Sequence, residues 1–323
     1  MEKKQDNLME ISDLTVRYNT DDAVVHAVNN FNLKLVRGEA RGLVGETGAG
    51  KTTLALSILR LLPERVGEVT GGSIVYDGQE LLNLPEAEML PLRGKRISMI
   101  FQDPMTSLNP TQTVGDQILE VLNLHFPEMT REEKNKRVDE MMTLVGIPPQ
   151  RKKSFPHEFS GGMKQRVVIA MALVAEPELL LADEPTTALD VTIQAQILEL
   201  MKQLREKFNT SVMLITHDLG VVAQFCDSVS VVYAGRVVEY GPVEIVFQRK
   251  ENHPYTAGLF NCIPNLHDDQ PRLHPIAGHM ADPRVEYKGC CFADRCEYAT
   301  ERCRTEAPSM HCLLYTSDAA DEL

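Results

Sequence analysis

Tryptophan is absent from the 323 residues, aromatic side chains make up only 6%, and no stretch is apolar for long enough to cross a bilayer. The longest apolar run, Val167 to Ala175, falls far short of the roughly 20 residues a membrane helix needs. Met1 to Met9 is polar and lacks the apolar centre of a leader peptide, so the chain is expected to stay in the cytoplasm and to reach a membrane only through a partner. A basic excess is lacking too. The 33 Lys and Arg face 46 Asp and Glu, a net charge of −13, which argues against nucleic acid as a partner because that grip needs a surface dense in Lys and Arg. Short basic runs, at Lys134, Lys136 and Arg137 and again at Arg151 to Lys153, read as solvated helix ends and loops. With 43% hydrophobic and 24% charged residues, the composition is that of a globular protein.

What is there is ordered along the chain. From Leu8 to Val44 the pattern alternates as in short strands of an antiparallel layer, with Phe31, Leu33 and Leu35 on one face and Asn32 and Lys34 on the other. A helix is expected from Lys51 to Leu62, and a strand pair around Asp77-Gly78. Residues 103–160 turn helical and polar, with Val138, Met141, Met142 and Val145 at helix spacing, and read as an inserted helical subdomain. A helix from Gly161 to Ala175, an apolar strand at Leu179–Ala182, a helix at Val191–Phe208 and a second apolar strand at Ser211–Thr216 then alternate as in a parallel α/β core. One nucleotide-binding domain is expected over residues 8–248. Past Asn252, Pro, His and Cys become frequent and periodicity is lost, which marks a C-terminal extension over 249–311.

Gly45-Glu46-Thr47-Gly48-Ala49-Gly50-Lys51-Thr52 fits the phosphate-loop pattern at every position, between an expected strand and an expected helix. Its glycines let backbone N–H groups wrap phosphates, the helix start adds the positive end of a dipole, Lys51 reaches the terminal phosphates and Thr52 offers a hydroxyl to Mg²⁺. Leu179 to Ala182 leads into Asp183-Glu184; in phosphoryl transfer the first carboxylate holds Mg²⁺ and the second orients and deprotonates the attacking water. Ser160-Gly161-Gly162 at a helix start is a further anion site, although taken alone it reads as a simple cap.

Phe159-Ser160-Gly161-Gly162-Met163-Lys164-Gln165 resembles the signature of ABC transporter ATPases, and over roughly Leu8 to Gln248 the chain is similar to that family. The resemblance implies an ABC-type P-loop ATPase: an antiparallel β layer, a parallel-sheet α/β core and a helical subdomain. It also implies roles. Gln102 matches the glutamine that senses Mg²⁺ and touches the membrane subunits, Ala188-Leu189-Asp190 the D-loop, and His217 the histidine that contacts the γ-phosphate. Tyr18 is the candidate to stack on adenine, and Thr53 follows the loop against the phosphates. Phe101 to Pro110, the Gly-Gly-Met signature and His253-Pro254-Tyr255-Thr256 narrow the resemblance to the oligopeptide/dipeptide importer ATPases, features that nickel and glutathione importers share. The implied partners are a second ABC ATPase subunit, identical or paralogous, two transmembrane permease subunits and, through them, an extracytoplasmic substrate-binding protein. In that family each ATP lies between two ATPases, so Ser160 is expected to act on the partner's nucleotide. The competing class, a soluble ABC ATPase of DNA repair or translation, usually carries two ATPase domains or large insertions, which this chain lacks.

Cys226 and Cys262 stand apart, whereas Cys290, Cys291, Cys296, Cys303 and Cys312 crowd together, and in a cytosolic setting such a cluster points to metal over disulfides. Four thiolates at Cys290, Cys296, Cys303 and Cys312 suit either a structural zinc or an iron-sulfur cluster, and paired Cys-x₂-Cys knuckles are missing. The resemblance adds that such importer ATPases hold a 4Fe-4S cluster in this region. Residues 312–323 look like the translation of a sequencing-library adapter, which makes Cys312 an expected non-native residue.

Overall fold

Two long strands, β1 (Asn7–Asn19) and β2 (Val24–Val36), open the computed structural model, which describes residues 6–187, 189–249, 251–263 and 275–309. Each runs 13 residues, so the short strands expected here are two long arms. The sequence pattern breaks where the register shifts, between Ile11 and Leu14 opposite Leu33 and Phe31, and where Asp13 and Asn30 take φ of 49° and 47°. Such bulges interrupt the alternation without ending the strand.

β3 (Ala40–Val44) runs into the glycine-rich loop and α1 (Lys51–Ile58). This helix stops four residues before Leu62. Arg60 takes φ 52°, its N–H bonds to the Ser57 carbonyl at 3.1 Å and that of Leu61 to the Leu56 carbonyl at 2.8 Å, the paired bonds that close a helix on a left-handed residue. β4 (Gly67–Tyr76) and the two-residue β5 (Gln79–Glu80) complete an antiparallel sheet in the order β2-β1-β4-β5. Their turn is Asp77-Gly78, both left-handed at φ 50° and 78°, as tight hairpins require.

After the single turn of α2 (Glu86–Met89), the chain enters the second sheet at β6 (Ile97–Ile100). It returns there as β7 (Leu179–Asp183), β8 (Ser211–Thr216), β9 (Ser228–Tyr233) and β10 (Arg236–Pro242), giving the order β10-β9-β3-β8-β7-β6, parallel except between β9 and β10. Helices cover one face, and α1 with the antiparallel sheet covers the other, so successive strand residues feed two cores. Leu180, Ala182, Val212 and Leu214 pack towards the helices; Leu179, Leu181, Met213 and Ile215 pack towards β1 and β2. Burial on both faces explains why these strands are continuously apolar.

Between β6 and β7 lie α3 (Pro104–Ser107), α4 (Val114–His125), α5 (Arg131–Leu144) and α6 (Gly161–Leu173). Thr130 and Glu133 form a reciprocal cap on α5, and Val138, Met141, Met142 and Val145 enter the core as their spacing predicts. The basic residues here are not simply solvated. Lys134 is buried and donates to Asn123 at 3.2 Å, Lys152 donates to Asp139 at 2.7 Å, and Arg151 lies 4.2 Å from the centre of the Phe159 ring. Their stems cover apolar helix surface while the charged ends find local acceptors.

The remaining helices are α7 (Val191–Phe208), α8 (Leu219–Phe225), α9 (Val243–Gln248), α10 (Pro254–Asn261) and α11 (Glu301–Thr305). Tyr255, Cys291 and Phe292, from the C-terminal region, lie in the same core as β9.

Four charges tie the sheets together. Arg37, after β2, and Arg96, before β6, both bond to Glu178 before β7, at 2.8 and 2.7 Å, and both bond to Asp77 in the hairpin turn. The Arg96 guanidinium holds the carboxyls of Asp77 and Glu178 below their ordinary values. Carboxyls depressed in this way stabilise the fold fully above the ordinary carboxylate range and lose that contribution as pH falls through it. Glu178→Gln is therefore expected to lower the thermal midpoint at neutral pH, with the gap from the parent closing as pH drops below about 4. A gap that stays constant across that range would assign the effect to shape instead of charge.

Candidate nucleotide-binding and hydrolysis site

In a parallel sheet, ligands collect at the carboxyl ends of the strands, and every expected catalytic residue lies there. The glycine loop leaves β3, Gln102 follows β6, Asp183 ends β7 with Glu184 after it, and His217 follows β8. Because β8 lies between β3 and β7, residues more than a hundred positions apart meet at one edge.

Steric limits shape the loop. A Cβ on Gly45 would lie 2.1 Å from the Val232 carbonyl oxygen and one on Gly50 only 2.2 Å from that of Ala27, so strands of both sheets press on the loop where it has no side chains. Gly50 takes φ 94° and caps α1; Gly48, at φ 85°, has open space beside it. Ala49 is buried and its carbonyl accepts from Gly235 at 3.0 Å, while Thr47 is exposed. Lys51 folds back over the loop and donates to the carbonyls of Gly45 and Glu46 at 2.7 and 3.1 Å. Its burial lowers the ammonium pKa, an effect opposed by the charges of Glu184, Asp183 and Glu46. Tyr18 of β1 reaches the start of α1, its hydroxyl 3.2 Å from that of Thr53.

The two carboxylates lie in different settings. Asp183 is 2% exposed, and burial raises its pKa against a hydrogen bond from Thr52. This pairing of a hydroxyl with a buried carboxylate is the hard oxygen set that suits Mg²⁺. Glu184 takes φ 47°, which turns its side chain out of the strand line. Its Oε2 accepts from Gln102 at 3.0 Å and Thr187 at 2.9 Å, while Oε1 lies 2.9 Å from His217 Nδ1. Burial pushes the Glu184 carboxyl up, but the bonds from His217, Thr187 and Gln102 outweigh it and leave the pKa below its ordinary value. Gln102 therefore lies against Glu184, and Thr187 is a contact that the sequence reading missed, since nothing in a Pro-Thr-Thr run marks one threonine over the other.

A second group forms at the start of α6. Ser160 caps that helix by accepting from the Met163 N–H at 3.4 Å, and Asp190 caps α7 by accepting from that of Ile193 at 2.9 Å. A Cβ on Gly162 would lie 2.6 Å from Ile193 Cγ2 and one on Gly161 3.9 Å from Leu189 Cδ2, so the Ser-Gly-Gly turn and the residues after Glu184 pack as one unit. Ala188, of the Ala-Leu-Asp stretch, lies outside the described residues.

Of the four expected thiolate ligands, Cys290, Cys296 and Cys303 are among the described residues. The Cys290 N–H donates to the Cys303 carbonyl at 2.7 Å and the charge of each neighbouring thiol acts on Cys290, yet among the described residues no three His, Cys, Asp or Glu side chains are disposed to hold a metal ion. Cys312 and the rest of 312–323 lie outside the described residues.

The ABC transporter family profile matches residues 28–187, and a profile for the oligopeptide/dipeptide transporter C-terminal region matches 238–303. Two solved structures share the fold. A dimeric post-hydrolysis ATP-binding cassette, MJ0796, bound to ADP and Pi, superposes with a TM-score of 0.65 at 28% identity over 73% of this chain and 98% of that one. CbiO1 of Clostridium perfringens, part of the cbiONQ transporter complex, gives 0.66 at 30% identity over 76% and 92%. Fold and site thus define an ATP-binding, ATP-hydrolysing cassette of the ABC class. The oligopeptide transport ATP-binding protein OppD of Salmonella typhimurium is 50% identical over 93% of this chain and 89% of its own length, and the dipeptide transport ATP-binding protein DppD of Bacillus subtilis 46% identical over 96% and 95%. The chain belongs to this oligopeptide/dipeptide-transport branch of the ABC ATPases.

The loop geometry separates its glycines. Gly50→Ala, which would drive a methyl into the Ala27 carbonyl, is expected to abolish binding of a fluorescent ATP analogue; Gly48→Ala meets only a left-handed backbone penalty of about 1–2 kcal/mol and should retain measurable affinity. Equal losses in the two variants would contradict the packing described here.

Proposed function

We propose that the chain is the ATPase subunit that drives import of di- and oligopeptides, bound peripherally at the cytoplasmic face of a membrane through permease subunits. Among the described residues no helix is long and apolar enough to cross a membrane. The observation that supports the proposal most is the meeting of Lys51, Thr52, Asp183, Glu184, Gln102 and His217 at the ends of adjacent strands, on a chain whose C-terminal region also matches the oligopeptide/dipeptide profile.

In this reading the loop's N–H groups and Lys51 receive the β- and γ-phosphates, and Tyr18 covers the adenine. Lys51 exchanges its two carbonyl acceptors for phosphate oxygens, which needs no large movement because the ammonium already lies within the loop. Thr52 and Asp183, with Gln102, would hold Mg²⁺, which when bound would neutralise charge that develops on the phosphates. Glu184 takes the proton of the attacking water. The bonds from His217, Thr187 and Gln102 orient its carboxylate and hold it in the ionised form. Ser160 and the α6 start lie on the unit that includes Asp190, and they grip the nucleotide of a second ATPase subunit; the dimeric state of the cassette MJ0796 supports such a pairing. Permease subunits receive the motion through the helices after Gln102, and a substrate-binding protein delivers peptide from the other side.

Glu184→Gln should bind ATP as the parent does but lose turnover by at least about a hundredfold in the assembled transporter, the scale of a lost general base. Parent-rate hydrolysis would refute the assignment. Lys51→Ala should instead weaken binding itself, read from nucleotide titration of the full-length chain. Because each site needs a neighbour's Ser160, specific activity of the purified chain should rise with concentration. Concentration-independent hydrolysis by a demonstrated monomer would rule out the shared site.

A further inference from the structure

Glu46 puts a carboxylate into a loop that receives a polyanion, and groups from the far end of the chain converge on it. Arg295, in the 3-10 turn Ala293–Arg295, sends Nη1 to Glu46 Oε2 at 2.8 Å and Nη2 to Oε1 at 3.2 Å. This is the two-pronged geometry that guanidinium makes with carboxylate and that lysine cannot reproduce. The same guanidinium donates to the carbonyls of Ala277 at 3.1 Å and Ile276 at 3.3 Å, and reaches the Tyr233 hydroxyl at 3.5 Å. Its side chain is 4% exposed, against 27% for Glu46.

The surroundings are apolar and rigid. Tyr233, Tyr255 and Phe292 pack in tilted and edge-to-face pairs with ring centres 4.7–5.5 Å apart, and Arg295 lies 5.8 Å from the centres of both Tyr233 and Phe292. Tyr255 is fully buried, and its hydroxyl accepts the backbone N–H of Glu46 at 2.9 Å. Both the side chain and the backbone of this loop residue are thus held by the C-terminal region. In so dry a setting the Arg295 charge is weakly screened, and the Glu46 charge is felt at Lys51.

We propose that Arg295 is the counter-charge of the phosphate loop: it cancels Glu46, so that the loop meets the nucleotide without an anion of its own, while Tyr255 fixes the loop's backbone. The C-terminal region thereby sets nucleotide affinity. Arg295 acts through Glu46 and is a positioning residue. The inference rests on the reading of this loop as the ATP site, and it gives a task to Tyr255 and Arg295 of the His-Pro-Tyr-Thr and Arg-Cys stretches.

The test is equilibrium titration of the full-length chain with a fluorescent ATP analogue, with ATP, ADP and adenosine as competitors. Arg295→Met leaves Glu46 unbalanced and should weaken ATP binding roughly tenfold, ADP less and adenosine least, because the penalty scales with ligand charge. Glu46→Gln in the Arg295→Met background should restore ATP affinity to within about threefold of the parent, since the unmatched charge is then gone. In the assembled transporter, KM for ATP should rise in Arg295→Met with kcat nearly unchanged. A double variant as weak as the single one, or equal losses for adenosine and ATP, would make Arg295 a structural anchor only and overturn the proposal. So would parent-like ATP binding by Arg295→Met. Glu46→Gln alone keeps the test decisive where Arg295→Met fails to fold: it should bind ATP at least as tightly as the parent, and a tenfold loss would count against the counter-charge. If the parent itself binds no ATP, the nucleotide reading fails instead.

Discussion

Two backbone carbonyls, those of Val232 and Ala27, lie where the side chains of Gly45 and Gly50 would begin. Everything at the site depends on that closeness. The first carbonyl belongs to the parallel sheet and the second to the antiparallel one, so the glycine loop is the seam along which the two sheets meet. Larger residues would push the sheets apart, move the start of α1, and carry Lys51 and Thr52 away from the ends of β7 and β8.

Around that seam several carboxylates have more than one donor. Glu184 has three hydrogen-bond partners, Glu46 has a guanidinium and a tyrosine beside its N–H, and Asp77 and Glu178 share two arginines. Multiple bonds to the ionised form outweigh desolvation at Glu184, whereas Asp183, more enclosed and with a single side-chain donor, has its pKa raised. Adjacent carboxylates on one strand end are thus tuned in opposite directions by their neighbours.

Much of this was legible in the sequence. β8 and α7 begin and end where pattern alone places them, because both-face burial leaves an unbroken apolar run in β8 and the Asp190 side chain caps α7. The phosphate loop, the Asp-Glu strand end and the Ser-Gly-Gly turn could be read because each needs fixed residue types at fixed spacing. The long arms of β1 and β2 were not, since Asp13 and Asn30 break the alternation through bulges that the pairing tolerates. Nor could any periodicity reveal that Arg295 would meet Glu46 across 249 positions. Contacts between a strand-loop-helix unit and an irregular C-terminal region follow from tertiary packing, and the pairing leaves no local mark. The burial of Lys134 escaped for a similar reason: a lysine's stem packs as an apolar residue, while its composition counts only as charge.

The helical insertion between β6 and β7 is entered just after Gln102, and its last turn, Pro156–Glu158, delivers the chain to Ser160. Gln102 holds one oxygen of Glu184, and Ser160 caps the helix whose first glycines pack on Leu189 and Ile193. Both ends of this segment are therefore chemical groups: an amide against a carboxylate at one, a hydroxyl at a helix start at the other. Whatever holds the insertion in place also holds two parts of the site, with no relay between them.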